Sequence, residues 1–300
     1  LVGRIEVQND GPDGDITVPA RKLVDICKSL PDGVDIAFSV EDGRVTVKAG
    51  RSRFTLSTLP AAEFPTVEAG EGEIDLELAQ TLVRQMIDRT GFAMAQQDVR
   101  YYLNGMYMEI KEGRLRFVAT DGHRLALCTA PGQVEAEDKS VIVPRKGILE
   151  LSRLLDADGS VTLTVGSNHI RAATDQFTFT SKLIDGKFPE YERVLPRSPD
   201  KSVTGDRTEL RQAFTRTAIL SNEKYRGVRL ALTNGSLEIT ANNPEQEQAE
   251  EMVPVDYSGE ALEVGFNVSY LLDVLGVLSG STVRMSLSDS ASSALVEDGD

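Results

Sequence analysis

The fold of this chain is decided by the stretch VPRKGILELSRLL at residues 143–155, which has two further copies elsewhere in the sequence. These are VPARKLVDICKSL at residues 18–30 and FNVSYLLDVLGVL at residues 266–278, at intervals of about 125 residues. The copies place apolar side chains at i, i+3, i+4 and i+7, as in Leu23, Ile26, Cys27 and Leu30. This spacing predicts an amphipathic helix with one buried stripe.

The sequence that follows the helices also repeats, which distinguishes a duplication from a chance similarity between helices. A period-two strand followed by Leu-x4-Phe-Pro occurs at residues 54–65 and again at residues 177–189. A second kind of helix occurs twice, with apolar stripes formed by Leu78, Leu82, Val83, Met86 and Ile87 and by Leu210, Phe214, Ala218 and Ile219. We therefore predict an α+β fold built from repeated halves, each a helix followed by strands.

The repeat divides the chain into one partial and two further domains. Residues 1–67 are predicted to be the second half of a first domain, with a strand at 1–7 and a helix at 19–30. Residues 74–194 form a second domain that opens with a helix near 76–89, and residues 201–300 form a third. An acidic segment at 68–73 and a proline-containing one at 195–200 link them. From the lengths of the copies we expect about 50 residues of the repeat to be missing in front, and about 15, with the last strand and C-terminal tail, behind.

The composition is that of a globular protein and argues against several kinds of site. Hydrophobic residues make up 40% of the 300, enough for substantial cores, and no apolar run is long enough to cross a bilayer. Cys27 and Cys128 both lie in apolar patterns and are predicted to be buried thiols, which suits the cytoplasm. The two histidines, His123 and His169, lack metal-ligand spacing, so neither a metal nor a cofactor is predicted.

The net charge of −15 would by itself argue against a nucleic-acid partner, but the charge is unevenly distributed. Three predicted helices are net positive, while the acidic surplus lies in turns and loops. Each of these helices has three cations and one carboxylate. The first has Arg21, Lys22 and Lys28 with Asp25; the second has Arg145, Lys146 and Arg153 with Glu150; the third has Arg207, Arg211 and Arg216 with Glu209. One such helix is typical of an ordinary solvated face, whereas three related helices of the same sign favour an anionic partner.

Four segments carry a resemblance to a known family: QDVRYYLNG at residues 97–105, ATDGHRL at 119–125, VPRKG at 143–147 and SNEKYRGVR at 221–229. Together they closely resemble the bacterial DNA polymerase III beta sliding clamps, and the resemblance extends over the whole chain. It implies three domains in each subunit and two subunits joined head to tail in a ring, with helices lining the hole and sheets outside. Such a ring would surround duplex DNA of any sequence, because its basic helices attract phosphates without reading bases.

The resemblance also implies which residues contact DNA. They are Arg21, Gln96, Gln97, Tyr101, Tyr102, Arg145 and Lys146. Gln96 stands where well-known members of the resembling family have a histidine, and either side chain can donate a hydrogen bond. The two tyrosines are expected at the start of a strand.

A second implied site is a groove between the second and third domains that binds short peptides of the polymerase alpha subunit, the clamp loader, other polymerases and repair proteins. Its wall is expected to be Leu103, Thr120, Gly122, His123, Arg124, Leu125, Pro189, Arg193, Val194 and Ser293. The leucines, Pro189 and Val194 offer an apolar slot, and Arg124 and Arg193 are expected to fix the peptide. Asp121 beside His123 suggests an oriented catalytic base, but Asp-Gly is typical of a tight turn, so we predict that Asp121 caps the turn.

The third implied site is the contact between subunits, which joins the edge of the first domain to the edge of the third. The first edge is expected to contribute Lys22, Arg51, Arg53, Phe54 and Leu56, and the second Ile219, Leu220, Glu245, Glu247, Glu250 and Glu251. Phe54 and Leu56 would pack on Ile219 and Leu220, while the cations face the glutamates.

Two other classes of function remain open at this stage. One is a protein-interaction scaffold that never surrounds DNA, which would tolerate charge reversal at Arg21, Arg145 and Lys146. The other is an enzyme that uses the Asp121–His123 turn. The favoured interpretation is a processivity clamp, which is not an enzyme and has no active site of its own.

Overall fold

The computed structural model describes residues 1–64 and 74–299. It divides into two compact units, residues 3–69 (the N-terminal unit) and residues 70–300 together with Leu1 and Val2 (the larger unit). The acidic linker predicted at residues 68–73 lies outside the described residues. Among those that are described, no helix is both long and apolar enough to span a membrane.

The N-terminal unit is one helix on one antiparallel sheet. Its elements are α1 (Ala20–Ser29), β2 (Ile36–Glu41), β3 (Arg44–Ala49) and β4 (Ser52–Ser57), and the strand order is β2-β3-β4. Its small core contains Val45, Val47 and Leu56 from the sheet, with Leu23 and Ile26 of α1 packed against them. The helical stripe predicted from the repeat therefore covers the sheet.

Two predictions for the first 30 residues are wrong. The strand expected at residues 1–7 is only the pair Val2–Gly3 (β1), since a strand is stable only where a neighbouring strand takes up its hydrogen bonds. Cys27, predicted as a buried thiol, is exposed, because a single helix on three strands covers only the Leu23 and Ile26 side of the stripe. Cys128 is half-buried, and burial raises the pKa of its thiol.

The first part of the larger unit has two helices between two sheets. Its elements are β5 (Ile74–Ala79), α2 (Gln80–Thr90), β6 (Gly105–Lys111), β7 (Arg114–Thr120), β8 (Leu125–Thr129), β9 (Lys139–Pro144), α3 (Arg145–Leu154), β10 (Ser160–Val165), β11 (His169–Ala173) and β12 (Phe177–Lys182). The sheet orders are β8-β7-β6-β9 and β1-β12-β11-β10-β5. One hydrophobic core runs between them, and Ile148, Leu151 and Leu155 of the repeated stretch lie in it.

The second part of the larger unit repeats this plan around a separate core. Its elements are β13 (Lys201–Asp206), α4 (Arg207–Ala218), β14 (Gly227–Thr233), β15 (Ser236–Asn242), β16 (Gln248–Pro254), β17 (Leu262–Asn267), α5 (Val268–Val277), β18 (Thr282–Leu287) and β19 (Leu295–Asp298). The sheet orders are β16-β15-β14-β17 and β13-β18-β19. The core contains Leu210 and Phe214 of α4 and Leu271 and Leu275 of α5.

The halves of each part exchange strands, which the sequence pattern did not predict. The helix expected near residues 76–89 begins at Gln80, because residues 74–79 form β5, which pairs with β10 of the other half. In return β9, the strand before α3, pairs with β6 of the first half. Leu78, assigned to the helical stripe, lies opposite Val161 in that ladder. The exchange joins the two halves through backbone hydrogen bonds as well as through the core.

Candidate functional site

A concave surface beside α3 brings together most of the residues predicted to contact DNA. It encloses about 480 Å³ between one face of the helix and the loop that precedes β6. Its lining residues are Ala95, Gln96, Gln97, Asn104, Arg145, Lys146, Leu149, Glu150 and Arg153. We call this surface the basic concavity, because its three cations face one carboxylate.

The loop at residues 96–104 is held in shape by its own side chains. The Asp98 N–H donates to Asn104 Oδ1 at 3.0 Å, and Asn104 Nδ2 donates to the Asp98 carbonyl at 2.9 Å. Arg100 donates to the Asp98 carboxylate through Nε at 3.0 Å and Nη2 at 2.8 Å. These bonds from Arg100 lower the pKa of Asp98 to about 2, so the carboxylate is ionised and the contact is kept at neutral pH.

Tyr101 and Tyr102 lie in a 3₁₀ turn, Tyr101–Leu103, and not at the start of a strand as predicted. The turn forms because the Leu103 N–H donates to the Arg100 carbonyl at 2.8 Å, and β6 begins only at Gly105. The Tyr101 ring is exposed, whereas Tyr102 is half-buried, and the two rings meet edge to face at 5.8 Å. Tyr101 is therefore the ring available to a ligand.

The cations of α3 differ in how free they are to meet a ligand. Arg145 is half-buried and donates to the carbonyls of Gly91 and Met94 at 3.4 and 3.2 Å, so it is tied to the end of α2. Lys146 is exposed, and Arg153, whose side chain is 71% exposed, pairs with Glu150 at 2.9 Å. Arg153 was not among the predicted site residues, although its position seven residues after Lys146 places both on one helix face.

The two other helices predicted to be basic behave differently. Arg21 and Lys22 of α1 are exposed, as a role with an anionic partner requires. On α4, Arg207 donates to the carbonyls of Gly280 and Leu275, and Arg216 pairs with Glu251 through two hydrogen bonds of 2.6 and 2.9 Å. These two cations act in folding contacts, so the net positive charge of α4 overstated its basic surface.

The turn at residues 120–124 is built around Asp121, as predicted. Asp121 Oδ1 accepts from the N–H groups of His123 and Arg124 at 2.9 and 3.0 Å. Thr120 Oγ1 donates to the Arg124 carbonyl at 2.6 Å and accepts from Gly122 N–H at 3.0 Å. The carboxylate that an enzyme would need to orient His123 is therefore used to cap the turn.

Gly122 is required in this turn by both its backbone and its surroundings. Its φ is +88°, and a Cβ added there would lie 2.8 and 2.9 Å from the guanidinium nitrogens of Arg100. We therefore expect Gly122→Ala to destabilise the protein by about 1–3 kcal/mol, since both left-handed strain and the displacement of Arg100 act together.

Urea unfolding of Gly122→Ala measures this cost, with Gly132→Ala as the matched control. Gly132 has a φ of +81°, but a Cβ there meets open space. The two variants share the backbone strain, so the difference between them reports the Arg100 contact. Equal midpoints for the two variants would contradict the expected role of Arg100.

Arg124 makes several contacts within the chain, and its role in fixing a peptide stays a prediction. Its Nε donates to Asp121 at 3.1 Å, Nη1 to Asp273 of α5 at 2.5 Å and Nη2 to the Phe92 carbonyl at 2.9 Å. Its guanidinium also lies 4.5 Å from the centre of the Tyr270 ring. Because Asp273 and Tyr270 belong to α5, Arg124 connects the two parts of the larger unit. Sequence reasoning missed this role, since its partner lies 149 residues away.

Two apolar residues of the predicted groove, Leu103 and Leu125, belong to one small cluster on the outer face of the β6–β7 sheet. Leu103 and Phe188 are buried in it, with exposures of 2% and 5%, and Leu125 packs against it half-buried. Leu103 is thus covered within the chain, and its place in the wall of the groove stays a prediction. Pro189 and Val194 are exposed beside the cluster.

The remaining predicted groove residues lie on exposed loops. His123 is exposed in the Asp121 turn, and Ser293 is exposed between β18 and β19. Arg193 is exposed and pairs with Glu190 at 2.5 Å. This pair is solvated, so it contributes little to stability and a ligand can replace it.

Family comparisons match almost the entire chain. The DNA polymerase III beta subunit models match at residues 1–68 (N-terminal domain), 77–190 (central domain) and 192–300 (C-terminal domain). The chain belongs to the DNA polymerase III beta subunit family. It is 65% identical over 302 residues to the beta sliding clamp of Pseudomonas aeruginosa, covering 100% of this chain and 82% of that protein. It is 54% identical over 299 residues to the beta sliding clamp of Escherichia coli K12, covering 99% and 82%.

Solved structures of the beta subunit family share the fold. The crystal structure of the DNA polymerase III subunit beta from Pseudomonas aeruginosa superimposes with a TM-score of 0.95 at 64% identity, covering 99% of this chain and 82% of that one. The predicted α+β clamp fold is therefore confirmed. Sliding clamps of this family are processivity factors of DNA polymerase III, and this is the function of the chain.

In this beta subunit chain, the residues predicted at the subunit contact form two groups, one on or before the edge strand β4 and on α1, and one on or before the edge strand β16 and at the end of α4. Ile219 is 75% exposed at the end of α4, next to the edge strand β16, and Glu245, Glu247 and Glu250 are exposed. Glu251 pairs with Arg216 within the chain, and its contact with a cation of another subunit stays a prediction.

The other predicted edge is the edge strand β4, which holds Arg53, Phe54 and Leu56. Leu56 is 8% exposed and belongs to the core beneath α1, with Phe54 half-buried beside it. Strand alternation explains this, because the face that holds Phe54 and Leu56 is the one α1 covers. Their packing on Ile219 and Leu220 of a second subunit stays a prediction. Arg51, Arg53 and Lys22 are exposed, which leaves a basic edge.

Proposed function

We propose that the chain forms a head-to-tail dimeric ring around duplex DNA, with the basic concavity facing the phosphates. The observation that carries this is the convergence of Gln96, Gln97, Arg145 and Lys146 on one concave surface from elements about 50 residues apart in sequence. Amide and cationic side chains suit phosphate oxygens and read no bases, so binding is independent of sequence. The retention of the ring on DNA then depends on enclosure rather than on affinity.

The exposed acidic surface is consistent with this proposal. Most of the −15 net charge lies away from the basic concavity, where it repels DNA and directs it to the few cationic surfaces. Within the chain, residues 1–67 would supply half of the first domain, and residues 74–194 and 201–300 the second and third.

Neutralising the exposed cations tests the DNA contact. We expect Arg21→Gln combined with Lys146→Gln to lower clamp loading onto nicked circular DNA, and to reduce the slope of log binding against log salt by about 2, or about 0.9 for each lost phosphate contact. Loading is measured at several salt concentrations. Lys182→Gln, which removes an exposed cation at the end of β12, is the control. A variant slope equal to that of the wild type, or an equal loss in the control, would contradict the proposed contact.

We further propose that the surface around Leu125, Pro189, Arg193 and Val194 binds short peptides of partner proteins. An apolar anchor of the peptide would pack on Leu125 and Val194, and Arg193 would exchange Glu190 for an acidic group or the backbone of the peptide. Candidate partners are the polymerase III alpha subunit, the clamp loader, other polymerases and repair proteins. All of them would compete for one surface.

Both proposed activities are binding, and the chain is proposed to carry no active site. Among residues 1–64 and 74–299, no cluster of three or more potential metal ligands is found. Asp121, the strongest candidate for a catalytic carboxylate, accepts three hydrogen bonds that maintain its own turn.

A further inference from the structure

The peptide surface proposed above depends on a segment with little secondary structure of its own. Between β12 and β13, the described residues 183–200 contain a single regular element, the 3₁₀ turn Tyr191–Arg193. This segment, which we call the connector, carries Pro189, Arg193 and Val194. Contacts other than the hydrogen bonds of a sheet must therefore fix the positions of these residues.

A carboxylate on the outer face of the β6–β7 sheet lies directly beneath the connector. Glu109 of β6 is 8% exposed and stands opposite Arg116 of β7 in the ladder, with 3.2 Å between Arg116 Nη1 and Glu109 Oε2. Charged side chains are rarely buried to this extent unless they are paired, since desolvation is costly. A leucine in this position would pack against the connector without that cost, so the polar pair calls for a specific explanation.

The Glu109 carboxylate binds the connector through Tyr191. Tyr191 Oη donates to Glu109 Oε2 at 2.7 Å, and Arg116 Nη1 lies 3.3 Å from the same hydroxyl. Burial, together with this bond to Glu109, raises the pKa of Tyr191 to about 12, so the phenol keeps its proton and remains a donor. Hydrogen bonds to a buried charge are stronger and more directional than neutral ones.

Neighbouring contacts extend the attachment on both sides of Tyr191. The Phe188 ring stacks on Tyr107 with centroids 4.6 Å apart and planes 9° apart. Glu192 pairs with Lys111 at 3.3 Å and with Arg116 at 3.4 Å. The connector is thus held at three successive points, immediately before and within the turn that presents Arg193 and Val194.

We propose that Glu109, Arg116 and Tyr191 are positioning residues for the peptide surface, setting the place of Pro189, Arg193 and Val194 before a partner binds. The inference rests on the proposed peptide-binding function and deepens it. Preorganisation of this kind raises affinity because the connector has no ordering entropy left to lose on binding. Without these hydrogen bonds and ion pairs, the connector would remain attached through Phe188, but the positions of Pro189, Arg193 and Val194 would vary.

The test compares two tyrosine hydroxyls in the complete protein. Tyr191→Phe removes the bond to Glu109 and keeps the ring, while Tyr257→Phe removes the hydroxyl of another buried tyrosine, which donates to the Glu260 carbonyl in the third domain. The probe is a peptide from the clamp-binding tail of the polymerase III alpha subunit, titrated by calorimetry. Melting temperature and retention on circular DNA are measured in parallel.

We expect Tyr191→Phe to weaken the peptide about tenfold, with unchanged retention on DNA, and Tyr257→Phe to leave the peptide affinity at the wild-type value. Glu109→Gln, which retains an acceptor for Tyr191, should have a smaller effect than Tyr191→Phe. Unchanged affinity in Tyr191→Phe, or equal losses in the two tyrosine variants, would overturn the positioning role. Leu125→Glu separates the two claims: if it leaves the peptide bound, the peptide surface itself is misplaced, whatever Tyr191→Phe does.

Discussion

Replacing Ile219 with alanine and Leu220 with lysine is expected to convert the dimer into soluble monomers with intact domains. Ile219 is 75% exposed at the end of α4, next to the edge strand β16, so its side chain is accessible to a second subunit. Burying a lysine in place of Leu220 would add a desolvated charge without a partner. We expect dimer affinity to fall by more than about 100-fold, or about 3 kcal/mol.

Sedimentation velocity at several protein concentrations measures this effect. Leu127→Lys is the matched control, since Leu127 is a 41% exposed leucine on β8, away from α4 and β16. The control should remain dimeric, and the circular dichroism of both variants should match the wild type. A double variant that sediments as a dimer of unchanged strength would place the subunit contact elsewhere.

Introducing a charge at Leu125 is expected to abolish the capture of partner peptides. Leu125 is half-buried and packs on the cluster of Leu103 and Phe188, so Leu125→Glu puts a carboxylate in the proposed apolar slot while the fold can still hydrate it. We expect peptide affinity to fall by at least about 100-fold, as for other buried anchors. Leu103 is not a clean probe for the same purpose, because it is 2% exposed and a charge there would disrupt the cluster itself.

Calorimetry with a polymerase tail peptide tests Leu125→Glu, and a variant of the basic concavity provides the comparison. Leu149→Glu introduces the same charge at a leucine that is 37% exposed in that concavity. It should lower DNA loading and leave peptide affinity unchanged, while Leu125→Glu should abolish peptide binding and leave the retention of clamps already on circular DNA unchanged. Unchanged peptide affinity in Leu125→Glu would reject the proposed groove.

The sequence predicted the repeated helices because their periodicity depends on local geometry alone. Ile148, Leu151 and Leu155 follow one another on one helix face, and any protein that buries this face shows the same spacing. Strand β5, which precedes α2, was missed because Leu78 fits two patterns. It continues the alternation of Ile74 and Leu76, and it also begins the helical series of Leu82 and Met86.

The charged residues were harder to place, because their partners are distant in sequence. Arg124 binds Asp273, and Arg216 binds Glu251, 149 and 35 residues away. The sequence shows that Arg124 lies in a turn and that Arg216 lies on a basic helix, but it does not show that both cations are already paired inside the fold. Strand β4 has a related limit, since alternation shows that Phe54 and Leu56 share a face but does not show which neighbour covers that face.

The central claim is that the protein is held on DNA because it surrounds the duplex and not because it binds it tightly. The most direct test compares its retention on circular and on linear DNA. The complete protein is loaded onto nicked circular DNA, and the circle is either left closed or cut once with a restriction enzyme before gel filtration. Enclosure predicts that the clamp stays on the circle at a salt concentration where phosphate contacts are screened, and leaves the linear DNA through its ends. Equal retention on circular and linear DNA would contradict the account.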